Sequence, residues 1–448
     1  MRLLGACGAL LVGLTLGALA LHVPGAPTVG SADLKDVFIG IVALAVAVYF
    51  AAVRLVLRRP LPAGAVFLVL LVAVAVRIPV LIAPPFLSSD VYRYVWDGRV
   101  QAAGVNPYRY IPADPALAGL RDAAIYPMIN RADYAPTIYP PAAQVIFAAV
   151  GRVSQTTLAM KAAMVAFEAL AVLCLLRLLA IARQPPSRIL IYAWNPLTYW
   201  SFAGNGHVDA AVIGLLAMAL LLRVLRRDTF AGAVFGAAVL VKFLPIVVAP
   251  ALWRARAGWR FATAAVAMIV ALYACYAGVG WRVLGFLPGY GAEEGLSDGN
   301  GLWLLAGLAR VAALPRQAAP LYFGAVAIAL ATLGSWIAFR RHKAPGSADD
   351  AVAVCGGAAI LMACLTAAIS PHYPWYFAWL ALPSVIRPFR AVLWLSAAPV
   401  LLYLDPLSER FLWPSLVYLP ALGLALADLR WPTLPSPALA PSAVEENA

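Results

Sequence analysis

Apolar runs long enough to cross a hydrocarbon layer as a helix, about 20 residues, recur from the first residues of the chain to position 428. They fall near 3 to 21, 37 to 57, 63 to 83, 158 to 182, 188 to 205, 207 to 225, 260 to 280, 319 to 340, 350 to 370, 373 to 387, 390 to 405 and 411 to 428. In lipid the backbone polar groups have no water to bond, so each run must satisfy them internally as a helix. The pattern predicts an all-α, polytopic integral membrane helical bundle of about 12 spans. The first run follows Arg2 and ends near Ala18-Leu19-Ala20 like a signal peptide, but its length and the spans after it favour a retained helix.

Three stretches do not fit as full crossings. Residues 141 to 153 and 300 to 315 are short and read as re-entrant or interfacial. Residues 229 to 252 carry Lys242-Phe243-Leu244-Pro245 at their middle and read as two half-helices meeting at a break. Such a break is tolerated at membrane depth only where it faces protein or a wet cavity. Residues 1 to 430 form the expected transmembrane domain, and the Pro-, Ala- and Ser-rich tail 431 to 448 is expected to be disordered.

Composition agrees: 64% of the residues are hydrophobic and 12% are charged, against about 25% charged in soluble domains. The net charge of +13 does not mark a nucleic-acid binder, because Lys and Arg form no basic arm or helix face. They sit in clusters at the ends of apolar runs, at Arg54, Arg58 and Arg59; Arg183 and Arg188; Arg223, Arg226 and Arg227; Arg254, Arg256 and Arg260; Arg340, Arg341 and Lys343; and Arg387 and Arg390. Clusters of this kind hold loops on the cytoplasmic side. With both termini inside, residues 84 to 140 become an extracytoplasmic loop, the longest polar stretch, with five acids and five arginines. The five cysteines lie in apolar runs with no C-x-x-C spacing, so neither a disulfide framework nor a zinc site is indicated.

The outer loop carries the densest chemistry, in Ser88-Ser89-Asp90-Val91-Tyr92-Arg93-Tyr94-Val95-Trp96-Asp97-Gly98-Arg99-Val100-Gln101 and Gly104-Val105-Asn106-Pro107-Tyr108. As a helix, Asp90, Arg93, Tyr94, Asp97 and Gln101 share one face. That face either lines the outer mouth of the bundle or is a solvated surface with local ion pairs.

These residues resemble the first extracytoplasmic loop of GT-C glycosyltransferases that use polyprenyl-phosphate sugars, above all the bacterial alpha-mannosyltransferases of cell-envelope assembly. More distantly they resemble the mannosyltransferase of glycolipid-anchor synthesis. The resemblance continues through Tyr139-Pro140-Pro141, Trp194-Asn195-Pro196-Leu197, Gly204-Asn205-Gly206-His207-Val208-Asp209, Val241-Lys242-Phe243-Leu244-Pro245 and Ser370-Pro371-His372-Tyr373-Pro374-Trp375-Tyr376. It implies transfer of a hexose, mannose in the nearest cases, with inversion, from a polyprenyl-phosphate donor to an envelope glycan or glycolipid. Membrane lipid is the surrounding partner and nucleic acid is not one. Asp90 matches the family's catalytic acid by position. A base must reach the acceptor from a wet site, and the departing phosphate needs fixed positive charge.

The remaining expected substrate-binding residues are Tyr92, Arg93, Asp97, Arg99, Asn106, Tyr139, His207, Asp209, Lys242, His372, Tyr373 and Trp375. Each has a plainer alternative. Asp97 with Arg93, and Arg99, can be structural ion pairs; Lys242 can snorkel; His207 can cap a helix; and the aromatic residues after Ser370 can belong to an interfacial belt. Glu293, Glu294 and Asp298 read as solvated surface. No ligand spacing marks a metal site, and a divalent cation on Asp90, Asp97 and one of these acids stays open as an alternative. A multi-span transporter of a lipid-linked or small polar substrate is the competing function, since broken helices mark transporters too.

Overall fold

The computed structural model describes residues 1–21, 32–253, 257–340, 344–404 and 410–430; the tail expected to be disordered lies outside them. The regular secondary structure of the described residues is helical, with no strand among them. The elements that build the bundle are α1 (Arg2–Ala20), α2 (Ala32–Arg58), α3 (Ala65–Ile82), α4 (Asp90–Ala102), α5 (Pro141–Val153) and α6 (Thr157–Ile181). They continue with α7 (Asp209–Val224), α8 (Asp228–Val239), α9 (Gly258–Ala274), α10 (Ala318–Phe339), α11 (Ala348–Ile369) and α12 (Leu412–Arg430).

Seven of the described helices are long and apolar enough to cross a membrane, and up to nine crossings result if each of two bent pairs is one span. On α3 the outward stripe is Phe67, Leu71, Val74, Ile78 and Ile82, all apolar and all exposed, with Phe67 at 72%. Its inward stripe, Val69, Val72, Val76 and Val80, is equally apolar and buried. A helix apolar on both faces belongs in lipid.

Twelve continuous spans were expected, and here the fold differs. The runs at 188 to 205, 373 to 387 and 390 to 405 are not single helices but short turns, such as Pro196–Tyr199, Trp200–Gly204, Pro374–Leu380 and Ala398–Tyr403. Pro196, Pro374, Pro383 and Pro399 each lack the N–H a continuing helix needs, which a hydropathy average does not register. Pro196–Gly204 meets α7 at 117°. The break expected within 229 to 252 is present, between α8 and a turn at Leu244–Val248. The stretch 141 to 153 is α5, too short to cross, and 300 to 315 contains only the six-residue Trp303–Leu308 helix.

Three local devices hold the frame. Gly98 of α4 and Gly151 of α5 cross backbone to backbone: a Cβ on Gly151 would lie 2.6 Å from the Gly98 carbonyl carbon. The Arg77 guanidinium on α3 grips Glu168 of α6 through two bonds of 2.7 and 3.2 Å and also donates to the Ala193 carbonyl at 2.7 Å. Lys161, buried at the start of α6, donates to the Val80 and Ala83 carbonyls and caps the C-terminal end of α3.

The two ends of the bundle differ in charge. α3 has 18 residues and so spans about 27 Å at 1.5 Å per residue. The clusters at Arg54 to Arg59, Arg183 and Arg188, Arg223 to Arg227, and Arg340 adjoin the helix ends on one side: the end of α2, the ends of α6 and α7, and the link from α10 to α11. The end of α3, the starts of α4 and α7 and the end of α11 converge on the other.

Candidate active site

The site is built on a turn that a single side chain organises. Asn205 follows the π-helical turn Trp200–Gly204, and its Oδ1 accepts from three successive backbone N–H groups, those of Phe86, Leu87 and Ser88, at 3.2, 2.9 and 3.2 Å. Its amide donates to the Trp200 carbonyl at 2.8 Å. The loop after α3 is thereby tied to the segment leading into α7. Gly206 has φ +67°, and a Cβ there would come within 2.9 Å of Val91 and 3.0 Å of Lys161. Only glycine permits both the left-handed backbone and that packing. The close approach is to protein side chains. The result brings Asp90, at the first position of α4, beside His207 and Asp209.

Asp90 opens onto a cavity of about 550 Å³. Its Oδ1 accepts from the Asn130 amide at 2.9 Å, and its Oδ2 lies 3.6 Å from His207 Nδ1. Burial pushes the Asp90 carboxyl above its ordinary 3.8, an effect opposed by the Asn130 hydrogen bond and the charges of Lys242 and Arg131 and reinforced by Asp209. Across the cavity Lys242, in the break after α8, bonds Asp209 at 2.8 Å and lies 3.4 Å from the Tyr376 ring centroid. Tyr376 and Tyr290 share a hydroxyl contact of 2.8 Å. Arg131 bonds Glu293 at 2.6 Å and lies 5.4 Å from the Tyr290 ring centre. The rest of the wall is apolar, with Leu87, Val241, Leu244, Leu287 and Ile369. Two carboxylates, Asp90 and the Lys242-paired Asp209, two cations and an apolar wall in one cavity suit a ligand with a polar, phosphate-bearing head and a hydrocarbon tail.

Residues 2–258 match the family described as alpha-(1->6)-mannopyranosyltransferase, N-terminal domain. The chain belongs to that family. Among relatives, alpha-(1->6)-mannopyranosyltransferase A of Mycobacterium tuberculosis is 27% identical over 327 residues, which is 67% of this chain and 61% of that protein. The match therefore takes in less than two thirds of the relative's length. No solved structure matches. The mannopyranosyltransferase family region supplies Asp90, Asn130, Arg131, Tyr139, Asp209 and Lys242 to the cavity, while Tyr290, Ile369, Tyr373, Trp375 and Tyr376 come from the chain beyond it.

Of the residues expected in the site of this mannopyranosyltransferase family member, Asp90, Tyr139, Asp209, Lys242, Tyr373 and Trp375 line the cavity. The others lie elsewhere. Arg93 and Asp97 form a buried pair at 2.9 Å, with Asp97 2% exposed and also held by Gln144 at 2.8 Å. Arg99 bonds Asp122 and Gln155, and Asn106 accepts from the Tyr108 N–H in its own turn. Tyr92 is half-buried away from the cavity. His372 sits between Glu294 Oε2 at 3.2 Å and the Gly301 carbonyl at 2.9 Å, latching the loop after Tyr290 to the turn before Trp375. Glu293 and Glu294, expected as solvated surface, hold Arg131 and His372 instead. Among the described residues no group of three or more His, Cys, Asp or Glu side chains could hold a metal ion.

The shared face of α4 explains the division. α5 crosses α4 at Gly98, so only the first turns, with Asp90 and Tyr94, reach the cavity, and the later positions pack on Gln144. Asn130, Arg131 and Tyr290 were not foreseen. Asn130 and Arg131 come from an irregular loop and Tyr290 from the short helix Leu287–Glu293, none with a periodic signal long enough to read, and only the folded chain brings them to Asp90.

Proposed function

We propose that this chain transfers mannose from a polyprenyl-phosphate donor to the 6-hydroxyl of a mannose-bearing envelope glycan or glycolipid, with inversion, at the extracytoplasmic face of the bacterial inner membrane. The observation that carries the reading is the Asp90 carboxylate, made more basic by burial, in one cavity with Lys242 and Arg131 and a hydrocarbon-lined wall. The acceptor oxygen attacks the anomeric carbon as Asp90 takes its proton. The bond from that carbon to the phosphate oxygen breaks, and the phosphate leaves with the electron pair. Lys242 and Arg131 stabilise the charge that develops there. An α product formed with inversion requires a β-linked donor. The linkage and the sugar follow the family's description.

Charge supports the side of action. The arginine clusters at Arg54 to Arg59, Arg183 and Arg188, Arg223 to Arg227, and Arg340 adjoin helix ends opposite the cavity, and clusters of that kind favour the cytoplasmic side. A prenyl chain then reaches the cavity sideways from lipid, with no nucleotide-binding fold needed. Transport is the weaker reading, because the polar groups gather at one end of the bundle and not at its middle.

Purified protein in lipid nanodiscs, given a synthetic β-linked polyprenyl-phosphate mannose and a simple α-mannoside, is expected to form an α(1→6) disaccharide. Equal transfer from the α-linked donor, or from a nucleotide sugar alone, would contradict the mechanism.

A further inference from the structure

We propose that His207 is a positioning residue that fixes the second oxygen of the Asp90 carboxylate and never touches sugar or lipid. The inference rests on the reading of Asp90 as the base. His207 is 0% exposed, behind the cavity wall. Its ring lies flat on Trp375, with centroids 3.9 Å apart and planes 18° apart, and Trp375 is backed in turn by Tyr373 at 4.7 Å. The imidazole is therefore clamped and cannot swing into the cavity. Yet both of its nitrogens are buried with no hydrogen-bond partner, an arrangement that native interiors tolerate only for a reason.

The geometry supplies the reason. Asn130 takes Oδ1 of Asp90 at 2.9 Å, which leaves Oδ2 facing His207 Nδ1 at 3.6 Å. That separation exceeds a hydrogen bond by a few tenths of an ångström. Such contacts are often long before substrate binds and tighten in the reacting complex. A neutral imidazole protonated on Nδ1 then donates to Oδ2. With one donor on each oxygen, the carboxylate is held in a single orientation toward the acceptor hydroxyl. Asn205 and Gly206 fix the backbone from which the ring projects, so the motif Gly204 to His207 works as one unit whose output is the angle of the base.

The test compares two substitutions in purified, nanodisc-embedded protein, using the β-linked polyprenyl-phosphate mannose and α-mannoside pair. His207→Phe keeps a flat ring on Trp375 and removes the nitrogen; His207→Asn keeps a donor near the Nδ1 position and removes the ring. The inference expects His207→Phe to lower kcat about 10- to 100-fold, the scale of a misoriented catalytic group, with donor KM unchanged. It expects His207→Asn to retain most of kcat. Wild-type kcat in His207→Phe, equal impairment in both variants, or a raised donor KM at unchanged kcat would each overturn it. Should His207→Phe not fold, His207→Leu takes its place as the variant without a donor, and a wild-type kcat in it overturns the role just as a loss of kcat restored in His207→Asn supports it. Asp90→Asn run alongside separates the two claims: if it transfers normally the base assignment fails, and if it is inactive while His207→Phe is normal only the positioning role fails.

Discussion

Replacing Asn205 with alanine removes one oxygen that serves three backbone N–H groups and one amide that serves the Trp200 carbonyl. Each N–H bond contributes about 0.5 to 1.5 kcal/mol net. The loop 86 to 88 is half-buried, so water replaces part of this and the three together come to about 2 kcal/mol. The Trp200 carbonyl is buried, and orphaning it costs about another 1 to 2 kcal/mol. The sum, about 3 to 4 kcal/mol, is a large share of the stability of an ordinary domain. The same loop leads into Asp90, so its release misplaces the carboxylate as well, which costs about 100-fold in rate for a shift near 1 Å. Thermal melting in detergent and initial transfer rates read the two effects separately. An Asn205→Ala protein with unchanged melting and unchanged rate would refute the claim that this side chain organises the site.

Glu168→Ala strands the Arg77 charge inside the bundle and is expected to cost about 3 to 5 kcal/mol, with Glu168→Gln milder; equal melting of the alanine variant and wild type would remove the pair as a structural node. Lys242→Met leaves developing phosphate charge without its cation and should lower the transfer rate about 100-fold, checked by initial rates with saturating donor; a wild-type rate would leave Lys242 as a simple partner of Asp209. The raised Asp90 value sets the pH dependence. The base must be ionised, so the acid limb of kcat/KM should lie above pH 3.8 and activity should fall as pH drops through the raised value. The folded state also holds the Asp90 proton more tightly than the unfolded chain, so stability is lost as pH rises from 3.8 through the folded value. Asp90→Asn should therefore melt above wild type at neutral pH and level with it below pH 3.8.

The sequence disclosed the frame better than the site. The long apolar runs at α1, α2, α3, α6, α10, α11 and α12 were legible within a few residues, because lipid imposes one length and one composition on a crossing helix. The break at Lys242 and the helix beginning at Asp90 were legible for the same kind of local reason: a proline in one case, a repeated polar face in the other. The segments around Asn195 and Pro374 were not, since their apolar content passes for a span while their prolines divide it into turns. What could not be read was convergence. Asn130, Arg131 and Tyr290 meet in the cavity of Asp90 only through packing between a loop and a short helix far apart in the chain. Polar residues at α-helical spacing, Asp97 and Gln101, turned out to face α5 because two glycines let that helix cross close by.

The central claim is that a carboxylate at residue 90 accepts the acceptor's proton. The most direct measurement compares initial rates of mannosyl transfer by wild-type protein and by Asp90→Asn in the same nanodiscs, with donor binding measured alongside. A loss of transfer of about 1,000-fold or more, at unchanged donor affinity, is the predicted result for removal of a general base. Transfer by the asparagine protein at the wild-type rate would mean that another group takes the proton and that Asp90 serves some other purpose.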